Sequence, residues 1–394
     1  MRNLIGVEPF DAEILRKAEK LRQQISVPVE LDSPFFLARF LRGNRGDEEL
    51  TAKRLMDYFT HRRLLGYDKL DDMQVLRKHP ITKATFERFS ISKMEPSLRS
   101  NNCHVLIQKM EGSDVKEIIK VIPLSYVLHS YFALQEMFCR CIAKTENETG
   151  RPSAVVCVLD LKGLALADFA NPLGGPAKLA RLVVKIWSDY FSENMIKLVL
   201  INPPGLVSLL FKITRLLMDE ATVQRLSILQ SLDDLHALLE PQVIPLVYGG
   251  QWVDRSGFAD PPETCVNQLL PVLQSEHRKA EEIWAEEGYI SPPQSKTFTV
   301  KGRHKHDVHK KCTREGERLI WQFDASADID FEILRLEPKS ENEKNVWPRL
   351  TLTSLKVAEF GALECGEAGD YVLRFSNPSA TWFPVKITLL AEIK

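Results

Sequence analysis

The sequence predicts an α/β unit followed by an all-β sandwich, and three observations carry that expectation. From about residue 100 to 250, short apolar runs alternate with helical stretches, the pattern of a mostly parallel sheet with helices packed on it. The strand runs there are apolar almost throughout, as in strands covered on both faces. After residue 295 the hydrophobic period becomes two, with turn residues between several short runs, which is how a sandwich of antiparallel strands reads.

Residues 1–66 read as a small helical unit. Pro9 and Asp11 open a helix expected to reach Ile25. Ser33 is placed to cap a second helix, with Pro34 in its first position. Phe35, Phe36, Ala38, Phe40 and Leu41 give that helix an apolar surface until Gly43 and Gly46 stop it. Asp47 caps a third helix, with Glu48 and Glu49 favourable in its first turn. Leu55, Met56 and Phe59 form its expected buried stripe, and Gly66 ends it.

Residues 67–257 hold the α/β unit. Its strands are expected at Cys103–Met110, Ala154–Leu161, Lys197–Ile201 and Leu226–Leu229, and its helices at Leu124–Ala143, Ala177–Phe191 and Leu206–Met218. Ligand sites in such sheets gather beyond the carboxyl ends of the strands. Residues 258–294 form a connector punctuated by Pro261-Pro262 and Pro292-Pro293, with a helix across Cys265–Glu287. In the sandwich, 295–394, the alternating apolar positions include Leu319, Trp321 and Phe323, then Ile329, Phe331 and Ile333. Tyr371, Leu373 and Phe375 follow, then Val385, Ile387 and Leu389. Trp321, Trp347 and Trp382 read as core residues, with exposed anchors as the other reading.

Composition narrows the function. The formal net charge of −1 gives no global field for nucleic acid, so a basic site must be local. Seven scattered cysteines without a C-x-x-C pair argue against a disulfide scaffold or a structural zinc, and fit a reducing compartment. The N-terminal segment lacks a secretory h-region. The most apolar stretch, 196–218, is broken by Asn202, Pro203, Pro204 and Gly205 and carries Lys197, Lys212 and Arg215, so membrane contact is expected to be peripheral. P-loop, G-x-S-x-G, H-E-x-x-H and G-x-G-x-x-G motifs do not occur. The expectation is a protein that is not an enzyme, with no catalytic residues, no metal and no cofactor beyond a bound lipid. His304, His306 and His309, within KGRHKHDVHKK, read as part of a solvated basic loop or edge strand rather than a metal site, with a basic surface that touches acidic lipid headgroups or protein partners as the other reading.

Specific segments resemble a known family. FLARFLRGNRGDEELTAKRLMDYFTHRRLLGYD resembles the N-terminal helical segment of CRAL-TRIO proteins, and VVCVLDLKGL resembles the strand with the D-L-K-G signature. YFSENMIKLVLINPPGLVSLLFKITRLLMDEATVQRLSIL resembles the I-N-x-P strand end, the gate helix and the D-x-x-T-x-x-K/R run. LLEPQVIPLVYGG resembles the closing L-P-x-x-Y/F-G-G. The chain after 295 resembles the GOLD domain through GERLIWQF…DIDFEI and GDYVLRFSNP. The matches occur in the family's order along most of the chain.

The resemblance implies a hydrophobic lipid held in a gated pocket and transferred or presented between membranes. The protein would be cytoplasmic, with peripheral association to Golgi or other internal membranes. The gate helix would carry Leu206, Leu209, Leu210, Ile213 and Leu217 on one face. For members that bind phosphatidylinositol, the headgroup set would fall on Arg45, Glu193, Thr222 and Arg225; Asn44 stands where the family has an arginine. Arg225 for lysine keeps the charge and adds a fork suited to phosphate. Ala165 and Ala167 remove hydroxyls suited to a choline lipid, so a phosphoinositide or a neutral isoprenoid-like cargo both stay open. The other implication is a trafficking or signalling adaptor that binds a protein partner through the GOLD surface, with lipid as a structural or regulatory ligand.

Overall fold

The structure, a computed structural model, describes residues 3–69, 78–205, 212, 215, 220–337, 342–378 and 383–394. The chain divides into two compact units. One comprises Met1–Tyr58, Lys69–Asp114 and Ser130–Pro271; the other comprises Phe59–Asp68, Val115–His129 and Val272–Lys394.

The first unit opens with helices Ala12–Arg22 and Phe36–Gly43 and most of Glu48–Leu64. Asp11 and Asp47 act as read: their carboxylates accept from the amides of Ile14 (2.8 Å) and Leu50 (2.9 Å) at the first turns of their helices. Ser33 does not cap the second helix. Phe35 occupies that position, and the Ser33 hydroxyl instead donates to the buried Glu146 carboxylate. The stripe of the third helix is also shifted. Thr51, Leu55 and Tyr58 are buried while Met56 is exposed, because positions i, i+4 and i+7 share a helix face and Met56 lies a residue off it.

The sheet follows. Its strands are β1 (Ser90–Ile91), β2 (Arg99–Ser100), β3 (Cys103–Lys109), β4 (Val155–Asp160), β5 (Met195–Ile201) and β6 (Leu226–Ile228). Their order is β1-β3-β4-β5-β6, with β2 also paired to β3. β3 to β6 run parallel, and the short β1 and β2 are antiparallel to β3. The helix Leu124–Thr149 links β3 to β4, and Gly175–Tyr190 links β4 to β5, as parallel neighbours require. One sheet face is closed by Val105, Ile107, Val156, Val158, Val199 and Ile201 packed with residues of the 235–252 segment.

The connector departs from expectation. Only Ala280–Glu286 is α-helical in the stretch read as a helix over Cys265–Glu287, with a single 3-10 turn at Gln274–Glu276. Proline flanks both sides of its first half, and Cys265 takes a left-handed φ of 58°. Asn267 then joins the sheet edge: its side chain accepts from the Ile91 amide (2.8 Å) and its own amide donates to the Ile91 carbonyl (3.1 Å). Backbone groups that a helix would satisfy internally are satisfied by β1 instead.

In the second unit two four-stranded antiparallel sheets make the sandwich. The strands are β7 (Lys296–Val300), β8 (Lys305–Cys312), β9 (Arg318–Ala325), β10 (Ile329–Leu336), β11 (Glu343–Leu352), β12 (Glu359–Glu364), β13 (Gly369–Ser376) and β14 (Val385–Ile393). The orders are β11-β10-β13-β8 and β12-β9-β14-β7. Phe323, Phe331 and Phe375 meet at ring separations of 5.0 to 5.1 Å in the core. Trp321 and Trp347 are buried, while Trp382 lies outside the described residues. The three histidines do not converge. His304 sits on the β7–β8 turn, His306 stacks on Phe298 at 4.0 Å, and His309 lies on the opposite face of β8 from His306. β8 is an edge strand. All seven cysteines are buried, and none forms a disulfide.

Candidate functional site

The two faces of the parallel sheet differ. Strand register places Leu106 beside Cys157, Cys157 beside Leu198, and Leu198 beside Leu226. One step further along it places Gln108 beside Leu159, Leu159 beside Leu200, and Leu200 beside Ile228. Paired residues in parallel strands point the same way, so these side chains share the face opposite the closed one. Leu106, Cys157 and Leu200 are buried, but Leu159, Leu198, Leu226 and Ile228 are only half-buried. An apolar surface thus stays accessible toward β6 and the carboxyl ends of the strands, the place where open α/β sheets bind ligands. The gate-helix residues Leu206, Leu209, Leu210, Ile213 and Leu217 lie outside the described residues. Lys212 and Arg215 are helical and exposed.

Three motif segments converge at the carboxyl end of β4. Asp160 accepts from the Tyr248 hydroxyl (2.7 Å), from the Asn202 amide group (2.9 Å) and from the Lys162 backbone amide (3.0 Å). The D-L-K-G, I-N-x-P and Y-G-G segments are thereby one polar cluster at the carboxyl end of β4, on the closed side of the sheet where Tyr248 packs. Burial and the Asp160 carboxylate push the Tyr248 phenol far above its ordinary value. Gly250 follows at a close approach, since a Cβ there would fall 2.1 Å from the Ile244 carbonyl oxygen. Tyr248→Phe removes a hydrogen bond to a carboxylate and leaves Asp160 short of a donor. It is expected to lower stability by about 1.5–3 kcal/mol, read as a shift in the urea midpoint; an unchanged midpoint would show that Asp160 is satisfied without Tyr248.

A second polar group lies at the N-terminal helices. Glu193, buried in the turn before β5, is gripped by two arginines. Arg42 Nε donates to it at 2.7 Å, and Arg225 donates both to Glu193 and to the Ser192 carbonyl. Burial alone would push the Glu193 carboxyl up; the two guanidiniums outweigh it and hold the group below its ordinary range. Arg42 also donates to the Glu8 carbonyl (2.9 Å) and stacks 4.0 Å over the Phe10 ring. Gly43 lets the helix end sit against this turn, since a Cβ there would come within 2.7 Å of Ser192 Oγ.

Of the four headgroup positions, the structure therefore joins Glu193 and Arg225. Thr222 is buried close by, and its carbonyl accepts from the Arg225 amide (3.1 Å). Arg45 stands apart: it is exposed, with a left-handed φ of 55°, and makes no side-chain ion pair among the described residues. Asn44 donates to the Phe40 carbonyl (2.9 Å) and accepts from Arg54. The residue that sequence reading missed is Arg42. Its signal was available: Arg39 and Arg42 sit three apart on a short apolar helix, and buried arginines need carboxylates. Arg39 finds Glu146 and Arg42 finds Glu193. Among the described residues, no group of His, Cys, Asp and Glu side chains could hold a metal ion.

Residues 101–250 match the model of the CRAL/TRIO domain. This stretch is a CRAL/TRIO domain. Relatives extend beyond it. The chain is 28% identical to a CRAL-TRIO domain-containing protein of Caenorhabditis elegans, covering 93% of this chain and 91% of that protein. It is 24% identical to the SEC14 cytosolic factor of Kluyveromyces lactis, covering 60% and 77%. Among solved structures it is similar to that of Sfh5, with 12% identity, a TM-score of 0.47, and coverage of 72% of this chain and 98% of that one. The CRAL/TRIO domain holds the accessible apolar face, the Asp160 cluster and Glu193 with Arg225; Arg42 reaches it from the helical segment that precedes it. No helix among the described residues is long and apolar enough to cross a membrane.

Proposed function

We propose that the protein binds a hydrophobic lipid against the accessible apolar face of the CRAL/TRIO sheet and carries or presents it between membranes. The observation that carries this reading is the half-buried set Leu159, Leu198, Leu226 and Ile228 on a face whose opposite is fully packed. Apolar side chains left accessible within a folded unit mark a ligand surface. A lipid tail gains about 0.8 kcal/mol per buried CH₂ there, so escape into water is slow and exchange needs a membrane-triggered opening.

Phosphatidylinositol is the proposed cargo where charge is concerned. Arg225 and Arg42 beside Glu193 supply the cations, with the exposed Arg45 as a further contact. A neutral isoprenoid-like lipid would use the apolar face alone. The sandwich is proposed as a GOLD-type module that brings the protein to Golgi or other internal membranes.

Purification without detergent followed by mass spectrometry tests the reading: one lipid class near stoichiometric amount is expected. Leu198→Arg, which places a charge on the apolar face, should reduce lipid transfer between vesicles at least about tenfold, since burying an unpaired charge costs several kcal/mol. Full lipid loading in that variant would refute the assigned surface. Retention of phosphatidylinositol by Arg225→Ala at the wild-type level would refute the charged site while leaving the apolar one standing.

A further inference from the structure

Antiparallel order sends four connections of the sandwich to one rim, of which the described residues are 301–304 after β7, 326–328 after β9, 353–358 after β11, and 377–378 with 383–384 after β13. Backbone contacts tie part of this rim together. Arg303 N donates to the Asn377 carbonyl (2.7 Å) and Asn377 N donates to the His304 carbonyl (3.0 Å). Asn377 Nδ2 reaches the Val300 carbonyl (3.1 Å). Ser326 N donates to the Lys386 carbonyl (3.0 Å), and Lys386 N returns a bond to Ser326 Oγ (2.9 Å).

The side chains on that corner are cationic and unspent. Lys301, Arg303, Lys305 and Lys386 are exposed. Lys305 lies 3.9 Å from Asp307, but that carboxylate is already bound by Arg374 at 2.8 Å; the other three make no ion pair among the described residues. Asp328 is the one carboxylate among the described residues of the four turns. The opposite rim has the reverse balance, with Glu315, Glu317, Glu337 and Glu367 against Arg314 among its described turn residues. Beside the cations, Phe383 presents a ring that is 82% exposed. An exposed aromatic gains nothing from water, and next to a cluster of cations it fits the interface of a bilayer, where rings sit at headgroup depth and cations meet phosphate.

We infer that this corner of the sandwich docks on a membrane rich in acidic phospholipid, with Lys301, Arg303, Lys305 and Lys386 on the headgroups and Phe383 in the interfacial layer. Charge complementarity selects the acidic surface, and the bare ring selects a bilayer over an acidic peptide. A few cations and one ring give weak, reversible attachment, falling off with ionic strength. The inference stands independently of what the CRAL/TRIO domain carries.

Vesicle co-sedimentation of the full chain tests it, using phosphatidylcholine vesicles with and without phosphatidylserine. Wild type should partition onto the phosphatidylserine vesicles and be released by added salt. The combined variant Lys301→Glu, Arg303→Glu, Lys305→Glu should lose at least about tenfold in partitioning, with an unchanged melting temperature because these side chains are exposed. Phe383→Ser should also weaken binding. Because every native cysteine is buried, Phe383→Cys can be labelled alone with an environment-sensitive fluorophore, which should shift to the blue on phosphatidylserine vesicles. Undiminished partitioning of the charge-reversed variant, or a label that stays in water while the protein is bound, overturns the inference. Loss with the charge reversal but none with Phe383→Ser would keep the cations on the headgroups and overturn the placement of Phe383 in the interfacial layer.

Discussion

Glu146→Ala is expected to destabilise the α/β unit by about 3–5 kcal/mol, the range for removing one partner of a buried ion pair. Arg39 and Glu146 have side chains 2% and 0% exposed, with Arg39 Nη2 to Glu146 Oε1 at 2.6 Å. The same carboxylate accepts from the Ser153 amide (3.0 Å) and from the Ser33 hydroxyl. One side chain on the helix Leu124–Thr149 thus ties down the helix Phe36–Gly43, the segment before it, and the entry to β4. Truncation leaves the Arg39 guanidinium buried without its anion, and Arg39 Nη1 already lacks a hydrogen-bond partner among the described residues. The double replacement Arg39→Met with Glu146→Leu should be much milder, because both charges leave together and apolar groups of similar volume fill the space. Urea unfolding with hydrogen-exchange protection of the helix Phe36–Gly43 reads both. A Glu146→Ala effect under about 1 kcal/mol would place the pair among solvated surface bridges.

This network also marks where sequence reading stops. Strand–helix alternation locates β3 to β6 within a residue or two, and the switch to period two picks out runs inside β9, β10, β13 and β14 while leaving β7, β8, β11 and β12 unread, because each is a local hydrophobic pattern. Asp11 and Asp47 were legible as caps because a cap satisfies amides two or three residues away. Ser33 carried the same local signature, yet a carboxylate 113 residues along the chain took its hydroxyl. The connector failed similarly: the 265–279 stretch has helix-compatible residues, but β1 offered an open edge. Of the headgroup set, Glu193 and Arg225 were visible through the family resemblance. Arg42 was missed: its spacing from Arg39 on an apolar helix pointed to a partnered charge, but which carboxylate it meets depends on where its helix lies beside the Ser192–Glu193 turn. The accessible apolar face follows from strand register, which a sequence does not state.

Glu359 is expected to cost the second unit stability as pH rises from about 5 to 8. Its carboxyl is fully buried at the N-terminus of the helix Leu124–Thr149, where the Ser125 amide donates to Oε2 at 3.1 Å. Two influences oppose each other. Burial raises the pKa; hydrogen bonds from Ser125 and Leu124, aided by the helix dipole, lower it. Burial wins, with Asp324 adding to it, and the group is pushed up from 4.5 to about 7. The unpartnered Oε1 shows why: one oxygen is solvated by amides and the other by nothing polar among the described residues. A folded pKa above the unfolded one means that the native state holds the proton more tightly. The associated stability is therefore complete below about pH 4.5, declines as pH rises, and is gone above about pH 7. At about 1.4 kcal/mol per pKa unit the loss amounts to roughly 3 kcal/mol. Carboxyls with lowered values, such as Glu317 at about 2, titrate below this window, while His61, buried in the same unit and held well below its ordinary value by burial and His129, changes stability in the opposite direction within it. Glu359→Gln keeps the shape and the acceptor but cannot ionise, so the stability difference between wild type and variant isolates this group. That difference should shift by about 3 kcal/mol in the variant's favour between pH 5 and 8, measured by urea unfolding of the sandwich. Parallel pH profiles would mean that the carboxylate is well solvated in the folded state and that the helix amides, not burial, set its ionisation.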